Sequence, residues 1–155
     1  MEIERKFLVK NLPSDLESYS YHIIEQGYLS TEPVVRVRRQ DDEYYLTYKG
    51  SGMLAREEYN LPLTADSYEH LVAKADGMVI SKKRYLIPIE NSELTIELDV
   101  FGGRLSPLIM AEVEFSSVEE AESFDAPDWF GEDVTQNRRY HNSNMSKLDI
   151  DHWEY

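Results

Sequence analysis

Cysteine is absent from the 155-residue chain, which excludes disulfides, thiolate metal sites and thiol nucleophiles. Long hydrophobic runs are also missing, and none approaches the roughly 20 apolar residues that a membrane-spanning helix needs. The segment of residues 1–10 alternates charged and apolar residues and has no apolar block typical of a signal peptide. We therefore expect a cytoplasmic protein that has no disulfides and does not associate with a membrane.

Positive charge is scarce, because 16 Lys and Arg residues stand against 30 Asp and Glu residues, for a formal net charge of −14. Proteins that bind nucleic acid carry a surplus of Lys and Arg, so nucleic acid is not an expected partner. The length fits a single domain over residues 1–155, and the sequence leaves open whether the tail over residues 142–155 folds back on the domain or packs loosely. The sequence leaves open whether the protein is a monomer or a homodimer.

Alternation of apolar and polar residues predicts strands along most of the chain. The predicted strands span residues 2–9, 22–30, 34–40, 43–49, 55–61, 79–87, 93–100 and 110–115. Helices are predicted over residues 66–76, with Gly77 as the C-terminal cap, and from Ser117, where Glu120 completes a capping box. A shorter helix is predicted around residues 12–19. This pattern predicts an α+β protein dominated by β-structure, with an eight-stranded antiparallel barrel.

Nearly every predicted strand has one apolar face and one charged face, and the charged faces could point to solvent or into the barrel. Two features favour the inward placement. Acidic residues are concentrated on the first, seventh and eighth strands and basic residues on the third to sixth, whereas solvated faces usually mix the signs. The amphipathic helices also need an apolar sheet surface to cover, so we expect them to pack on the outside. The expected lumen residues are Glu2, Glu4, Glu58, Glu97, Asp99, Glu112, Glu114, Lys6, Arg36, Arg38, Lys49, Arg56, Lys82 and Arg84.

A lumen filled with charges destabilises the fold, because burying each charge costs several kcal/mol of folding free energy unless the charge is paired or binds a ligand. The guanidinium group of Arg binds phosphate oxygens through two parallel hydrogen bonds. Clustered carboxylates bind hard cations such as Mg²⁺ and Mn²⁺. The charge pattern therefore predicts a polyanion that is bridged to metal ions inside the barrel.

The segment Glu2-Ile3-Glu4-Arg5-Lys6 resembles the N-terminal ExExK signature of the CYTH superfamily, the triphosphate tunnel metalloenzymes. Similar segments follow in order to about residue 140, among them residues 26–29, 35–39, 46–49, 56–59, 83–85, 97–100, 112–115 and 138–140. The chain looks similar to short bacterial members, many of which act as inorganic triphosphatases. The resemblance implies an eight-stranded tunnel in which inorganic triphosphate is hydrolysed to pyrophosphate and phosphate.

The same resemblance implies Mg²⁺ or Mn²⁺ as cofactor and a small-molecule triphosphate as substrate. The implied metal ligands are Glu2, Glu4, Glu112 and Glu114, helped by Asp99 and Glu97. The implied phosphate ligands are Lys6, Arg36, Arg38, Lys49, Arg56, Arg84 and Arg139, and strand parity adds Lys82 in preference to Lys83. A dyad of Tyr28 and Lys6 is implied as the acceptor of a proton from the attacking water. The alternative for Tyr28 is a packed aromatic ring whose hydroxyl is hydrogen-bonded.

Three other functions are compatible with the sequence. Two are enzymes of the same superfamily, a class IV-type adenylate cyclase and a thiamine or nucleoside triphosphatase. The third is a non-catalytic module that binds polyphosphate or nucleotides. The short chain has no obvious adenine-binding insert, which favours the smallest substrate, and an anion-binding module would have no use for the two acidic clusters.

Overall fold

The structure is a computed structural model, and it describes residues 1–147. Its strands are β1 (Glu2–Val9), β2 (Tyr21–Thr31), β3 (Val34–Gln40), β4 (Glu43–Lys49), β5 (Ala55–Arg56), β6 (Glu58–Pro62), β7 (Asp76–Pro88), β8 (Thr95–Phe101), β9 (Ile109–Glu114) and β10 (Phe130–Asp133). The α-helices of this region are α1 (Ala65–Val72), α2 (Val118–Ser123) and α3 (Asn142–Met145). Short 3-10 helices occupy Leu16–Ser18, Gly103–Leu105 and Arg138–Tyr140.

The strands form one antiparallel sheet in the order β10-β1-β9-β8-β7-β2-β3-β4-β6, with β5 paired to β1. In the β1–β5 pair Arg56 lies opposite Glu2, and in the β4–β6 pair Glu58 lies opposite Lys49. Because β5 and β6 follow one another in the chain, this segment links the two ends of the sheet and nearly closes it. The predicted antiparallel barrel is therefore confirmed.

Some of the strand boundaries agree with those predicted from the sequence, and others differ. The predicted bounds of β1, β3 and β4 agree with the structure. The predicted strand over residues 55–61 is divided at Glu57, since the chain leaves β1 there and pairs with β4 instead. The sheet also contains β10, which the alternation pattern did not predict, so the described part of the barrel has more strands than the predicted eight.

The helix starts agree with the predicted positions more closely than the helix ends do. Thr64 caps α1 by accepting a hydrogen bond from the Ser67 amide at 3.1 Å. The helix ends at Val72, so the prediction of Gly77 as its cap is wrong. Gly77 belongs to β7 and has a φ of 70°, and a Cβ atom there would lie 2.2 Å from the carbonyl oxygen of Ser146. The glycine is thus required by the close approach of the C-terminal segment.

Helix α2 begins where it was predicted to begin. The Ser117 hydroxyl accepts from the Glu120 amide at 3.1 Å, as in a capping box. The Glu120 carboxylate, however, accepts from the amide of Ser116 at 3.3 Å, one residue earlier than in the predicted motif.

Apolar side chains cover the outside of the barrel wall, on the strand faces opposite the charged residues. Phe7 and Phe115 pack there with Phe130 and with Ala121 of α2, and the ring centroids of Phe7 and Phe130 are 4.8 Å apart. The predicted outer placement is thereby explained for α2, because this helix buries the apolar face.

A second apolar cluster joins the C-terminal segment to the barrel. It contains Tyr140 and Met145 together with Ile80 and Met110 of the sheet. Residues 142–147, the first part of the tail whose packing the sequence left open, are therefore packed against the barrel, while residues 148–155 lie outside the described residues. In residues 1–147 no helix is long and apolar enough to cross a membrane.

Candidate active site

A cavity of about 210 Å³ lies inside the barrel, and charged side chains form most of its wall. Nearly all of the predicted lumen residues contribute to this wall. They are Glu2, Glu4, Lys6, Arg36, Arg38, Lys49, Arg56, Glu58, Lys82, Arg84, Glu97, Glu112 and Glu114. Lys83 instead lies on the outer face over the rings of Tyr21 and Tyr85, as strand parity predicted.

The acidic wall is built by β1 and β9, where Glu4 lies directly opposite Glu114 and Lys6 opposite Glu112. Burial, together with the neighbouring charge of Glu112, raises the pKa of Glu4 to about 7. Burial and the charge of Glu2 likewise raise the pKa of Glu114. Like charges on opposed strand positions repel each other, so this wall carries negative charge that its own cations do not fully compensate.

A buried network of ion pairs crosses β7, β8 and β9. The Arg84 guanidinium lies 2.7 Å from Asp99 through Nε and 3.2 Å from Glu112 through Nη2. Lys82 Nζ lies 2.8 Å from the other Asp99 oxygen. Although burial acts in the opposite direction, Asp99 and Glu97 raise the pKa of Arg84 above its ordinary value, so the guanidinium stays charged.

Asp99 itself lies behind the cavity wall, with an exposed fraction of 0%, and both of its oxygens accept hydrogen bonds from Arg84. This placement argues against the predicted role of Asp99 as a metal ligand. The residue holds Arg84 and Lys82 in place instead.

A second group of ion pairs lies where β5 meets β1. Lys49 Nζ is 3.1 Å from the Glu2 carboxylate and 3.7 Å from that of Glu58. Arg56 Nε lies 3.5 Å from Glu2. These contacts join β1, β4, β5 and β6 at the place where the barrel closes.

Arg36 and Arg38 differ from the other cations of the cavity, because within residues 1–147 neither forms an ion pair with a carboxylate. Arg36 donates to the Thr47 hydroxyl at 3.2 Å, and its buried Nε has no hydrogen-bond partner in this part of the chain. Arg38 donates from Nε and Nη2 to the side-chain oxygen of Gln26. Burial and the charges of Arg36 and Arg84 lower the pKa of Arg38 to about 9. The two arginines therefore form a positively charged surface that suits an anion.

The predicted dyad of Tyr28 and Lys6 is not joined by a hydrogen bond in the described part of the chain. Tyr28 lines the cavity, and its hydroxyl accepts from Gln26 Nε2 at 3.3 Å. Lys6 Nζ lies 3.2 Å from Glu112. Burial lowers the pKa of Lys6, but Glu112 and Glu4 outweigh it and raise the pKa above its ordinary value, which keeps the amine protonated. Lys6 is thus better suited to binding phosphate than to accepting a proton.

Arg139 is the predicted phosphate ligand that the structure places elsewhere. It is exposed, does not line the cavity, and its guanidinium lies 6.0 Å from the ring centroid of Tyr140.

The cavity also involves uncharged residues that are not among the predicted site residues. Asn142 and Ser143 of α3 line it, and Gln26 lies beneath Arg38. Gln26 shares the strand parity of Tyr28, so alternation along β2 could have identified it. Nothing in the sequence pattern indicated Asn142, because the C-terminal segment reaches the cavity through a tertiary contact.

The donor set fits a hard divalent cation, since the acidic wall offers carboxylate oxygens. Among the residues that the structure describes, no three Asp, Glu or His side chains form a complete metal site. Glu2 and Glu112 lie 3.1 Å and 3.2 Å from the basic side chains of Lys49 and Lys6, and Glu4 has only a longer contact of 3.9 Å with Lys6. Glu4 and Glu114 carry the raised pKa values. A cation at Glu4 and Glu114 would relieve the repulsion between these two opposed carboxylates.

Comparisons with known proteins identify close relatives of the chain. The family model described as CYTH domain matches residues 1–149. An inorganic triphosphatase of Nitrosomonas europaea is 42% identical over 94% of this chain and 96% of its own length. An inorganic triphosphatase of Acetivibrio thermocellus is 37% identical over 94% of this chain and 93% of its own length.

Solved structures agree with these sequence matches. A crystal structure of an inorganic triphosphatase is 37% identical to the chain and superposes with a TM-score of 0.71, over 96% of this chain and 95% of that one. A Hippeastrum protein that is 15% identical shares the fold, with a TM-score of 0.61 over 79% of this chain and 83% of that one.

Proposed function

Because the chain belongs to the CYTH domain family, we propose that it hydrolyses inorganic triphosphate to pyrophosphate and phosphate inside the charged cavity. The observation that carries the proposal is the pair Arg36 and Arg38, two cavity-facing guanidinium groups without a carboxylate partner among residues 1–147, set in a cavity with an acidic wall. A triphosphate would place negative charge next to these two arginines, and a metal ion would place positive charge next to the acidic wall.

The basic residues bind and orient the substrate in this proposal. Arg36 and Arg38 bind phosphate oxygens, and Lys6, Lys49, Arg56, Lys82 and Arg84 complete the phosphate-binding surface. In the reaction a water oxygen forms a bond to a phosphorus atom while the bond from that phosphorus to a bridging oxygen breaks. Phosphoryl transfer depends mainly on positioning and on neutralising charge, which fits a site built almost entirely of charged side chains.

The proposed cofactor is Mg²⁺ or Mn²⁺, held by Glu4 and Glu114 with Glu2 and Glu112. When bound, such an ion would neutralise phosphate charge and lower the pKa of the attacking water. Asp99 and Arg139 have no direct part in the proposal, because Asp99 is buried behind the wall and Arg139 lies outside the cavity lining.

The proposal also covers the organisation of the protein and its partners. Residues 1–155 are taken as one domain, since the family match spans residues 1–149. The partner is a small-molecule triphosphate, and the net charge of −14 makes a nucleic acid an unsuitable one. A cytoplasmic location is proposed from the absence of cysteine.

A substrate panel tests this function. Purified protein is incubated with tripolyphosphate, ATP or thiamine triphosphate, with Mg²⁺ and Mn²⁺ in separate reactions. Release of phosphate, pyrophosphate and cyclic AMP is measured. We expect phosphate release from tripolyphosphate to be fastest, chelator to abolish it, and Glu4→Ala to lower the rate by about a hundredfold or more, as loss of a metal ligand should.

Two results would contradict the proposal. Full activity in excess EDTA would remove the metal from the mechanism. Efficient turnover of ATP or thiamine triphosphate with tripolyphosphate untouched would assign the cavity to a different substrate.

A further inference from the structure

Gln26 is an uncharged residue that contacts Arg38, one of the two cavity arginines that form no ion pair with a carboxylate among residues 1–147. It lies on β2 directly opposite Arg38 of β3, and its side chain is fully buried. Its Oε1 atom accepts hydrogen bonds from Arg38 Nε at 2.9 Å and from Nη2 at 2.6 Å. One edge of the guanidinium is thereby fixed, and its remaining N–H groups stay available for a ligand in the cavity that Arg38 lines.

The charge state of this acceptor distinguishes Arg38 from other cations of the cavity. Arg84 is held by Asp99, Lys49 by Glu2 and Lys6 by Glu112, so each of those cations faces a carboxylate. A carboxylate at position 26 would orient Arg38 equally well but would cancel its charge. The neutral amide orients the guanidinium and leaves its positive charge available to an anion.

The orientation of the Gln26 amide is itself fixed by its other neighbours. Gln26 Nε2 donates to Asn142 Oδ1 at 3.1 Å and to the Tyr28 hydroxyl at 3.3 Å. Asn142 Oδ1 also accepts from Lys82 Nζ at 3.0 Å. Because Asn142 Oδ1 is an acceptor for both groups, the Gln26 nitrogen must face it and the Gln26 oxygen must face Arg38.

We propose that Gln26 is a positioning residue for substrate binding, which aims Arg38 at a phosphate group without neutralising it. The polyphosphate nature of the anion rests on the proposed function, whereas the role of Gln26 rests on its own contacts. The contacts with Asn142 make α3 part of the same arrangement.

Two variants separate orientation from charge, and a third is a matched control. Gln26→Glu keeps an acceptor for Arg38 and adds a negative charge. Gln26→Met keeps the length of the side chain and removes its hydrogen bonds. Gln136→Glu adds the same charge at an exposed position outside the cavity lining.

Three measurements are made on each protein. Calorimetry in EDTA gives the Kd of tripolyphosphate without turnover, and assays with Mg²⁺ or Mn²⁺ give kcat and KM. Thermal melting gives the Tm of the ligand-free protein.

For Gln26→Glu we expect Kd and KM to rise by about tenfold or more, with a smaller change in kcat, because the new ion pair competes with phosphate. Its ligand-free Tm should exceed that of Gln26→Met, because the ion pair of the new carboxylate with Arg38 offsets the loss of the hydrogen bond to Asn142. Gln26→Met should also bind more weakly, but with a lower ligand-free Tm. Gln136→Glu should match the wild type in each measurement.

Unchanged tripolyphosphate affinity in Gln26→Glu would overturn the inference. So would equal losses of Tm in Gln26→Glu and Gln26→Met, because a purely structural residue would give that result. If the wild type binds tripolyphosphate without hydrolysing it, the proposed function fails while the Kd values still decide the role of Gln26. If the wild type does not bind tripolyphosphate at all, both proposals fail.

Discussion

The adjacent residues Arg38 and Arg39 on β3 have the same side chain and opposite environments. Arg38 lines the cavity, whereas Arg39 is exposed and donates from Nε to the Asp41 carbonyl oxygen at 3.1 Å. Successive residues of a strand point to opposite faces, and this rule alone separates the two.

Replacing these two arginines tests the inward placement of the charged face. Arg38→Ala should lower triphosphatase kcat/KM by about a hundredfold or more, because it removes a charge-assisted, bidentate phosphate contact. Arg39→Ala should stay within about twofold of the wild type, as is usual for an exposed side chain. Steady-state kinetics with tripolyphosphate measure both. Equal losses in the two variants would mean that the charged face does not line the site.

Parity predicted which side chains point inward, but it could not predict how they are paired. Asp99 has the parity of a cavity residue and yet lies behind the wall, because Arg84 and Lys82 hold both of its oxygens. Asn142 reaches Gln26 and Lys82 across 116 and 60 residues of sequence, respectively. Contacts of this kind depend on the closed barrel and are not encoded in any local pattern.

At the single residue His141, the structure predicts how the free energy of unfolding changes with pH. It is buried, and burial together with the charge of Lys6 lowers its pKa to about 4 from an ordinary value of 6.5. The folded state therefore keeps the ring neutral, while the unfolded chain takes up a proton below about pH 6.5. The stability that this difference contributes is fully present above pH 6.5 and is lost as the pH falls towards 4.

The expected effect of His141 on acid unfolding is up to about 3 kcal/mol between pH 6.5 and 4, since one unit of pKa corresponds to about 1.4 kcal/mol. His141→Gln, which keeps a donor for the Thr135 carbonyl oxygen, should lose less stability over that interval than the wild type. Urea unfolding at several pH values measures the difference, and carboxylates common to both proteins cancel. His70→Gln, at an exposed position of α1, is the control. Parallel pH profiles for His141→Gln and the wild type would contradict the prediction.

At the scale of elements, the strands with clear alternation were predictable and the strand without it was not. β1, β3 and β4 alternate over part of their length, and their predicted bounds agree with the structure. β10 has only four residues, with the sequence Phe-Gly-Glu-Asp, which shows no period of two. It becomes a strand because it pairs with β1, and Phe130 packs against Phe7. Such a strand depends on tertiary packing rather than on local propensity.

Phe130→Ala tests whether β10 stabilises the barrel. Its ring is buried against Phe7 and Trp129, so the truncation should reduce the free energy of unfolding by about 3–5 kcal/mol. Kinetics of the folded fraction should change little, because the ring lies outside the cavity lining. Urea unfolding measures the stability, and Val118→Ala on the more exposed surface of α2 is the control. A loss below about 1 kcal/mol for Phe130→Ala would show that β10 is dispensable.

Across the whole molecule, the sign of the surface charge and the sign of the ligand are the same. The chain has a net charge of −14, and yet nearly half of its 16 Lys and Arg residues line the cavity. Those that line it are Lys6, Arg36, Arg38, Lys49, Arg56, Lys82 and Arg84. The rest of the protein is predominantly acidic and repels a triphosphate, whereas the cavity concentrates positive charge. A triphosphate should therefore bind in the cavity rather than elsewhere on the protein.

Metal and triphosphate should therefore stabilise the folded protein cooperatively. Either ligand alone relieves only one side of the cavity, the acidic wall or the two arginines, and brings its own charge into it. Together each ligand neutralises the other, so the rise in Tm with both should exceed the sum of the two separate rises. Inorganic phosphate should do much less than triphosphate, because it contacts fewer of the basic residues.

A ligand that binds only the folded state at a hundredfold excess over its Kd contributes about 2.7 kcal/mol. For a domain of this length that corresponds to roughly 5–10 °C in Tm, so metal with tripolyphosphate should shift the melting curve by that amount. Differential scanning fluorimetry measures it, with Ca²⁺ as the metal if Ca²⁺ proves not to support turnover. Arg38→Ala should lose most of the triphosphate-dependent shift, because it removes one of the two cavity arginines that have no carboxylate partner among residues 1–147, while Arg39→Ala should keep it. Melting curves with both ligands that coincide with those of the free protein would show that the cavity charges do not receive these ligands, and the proposed function would fail with them.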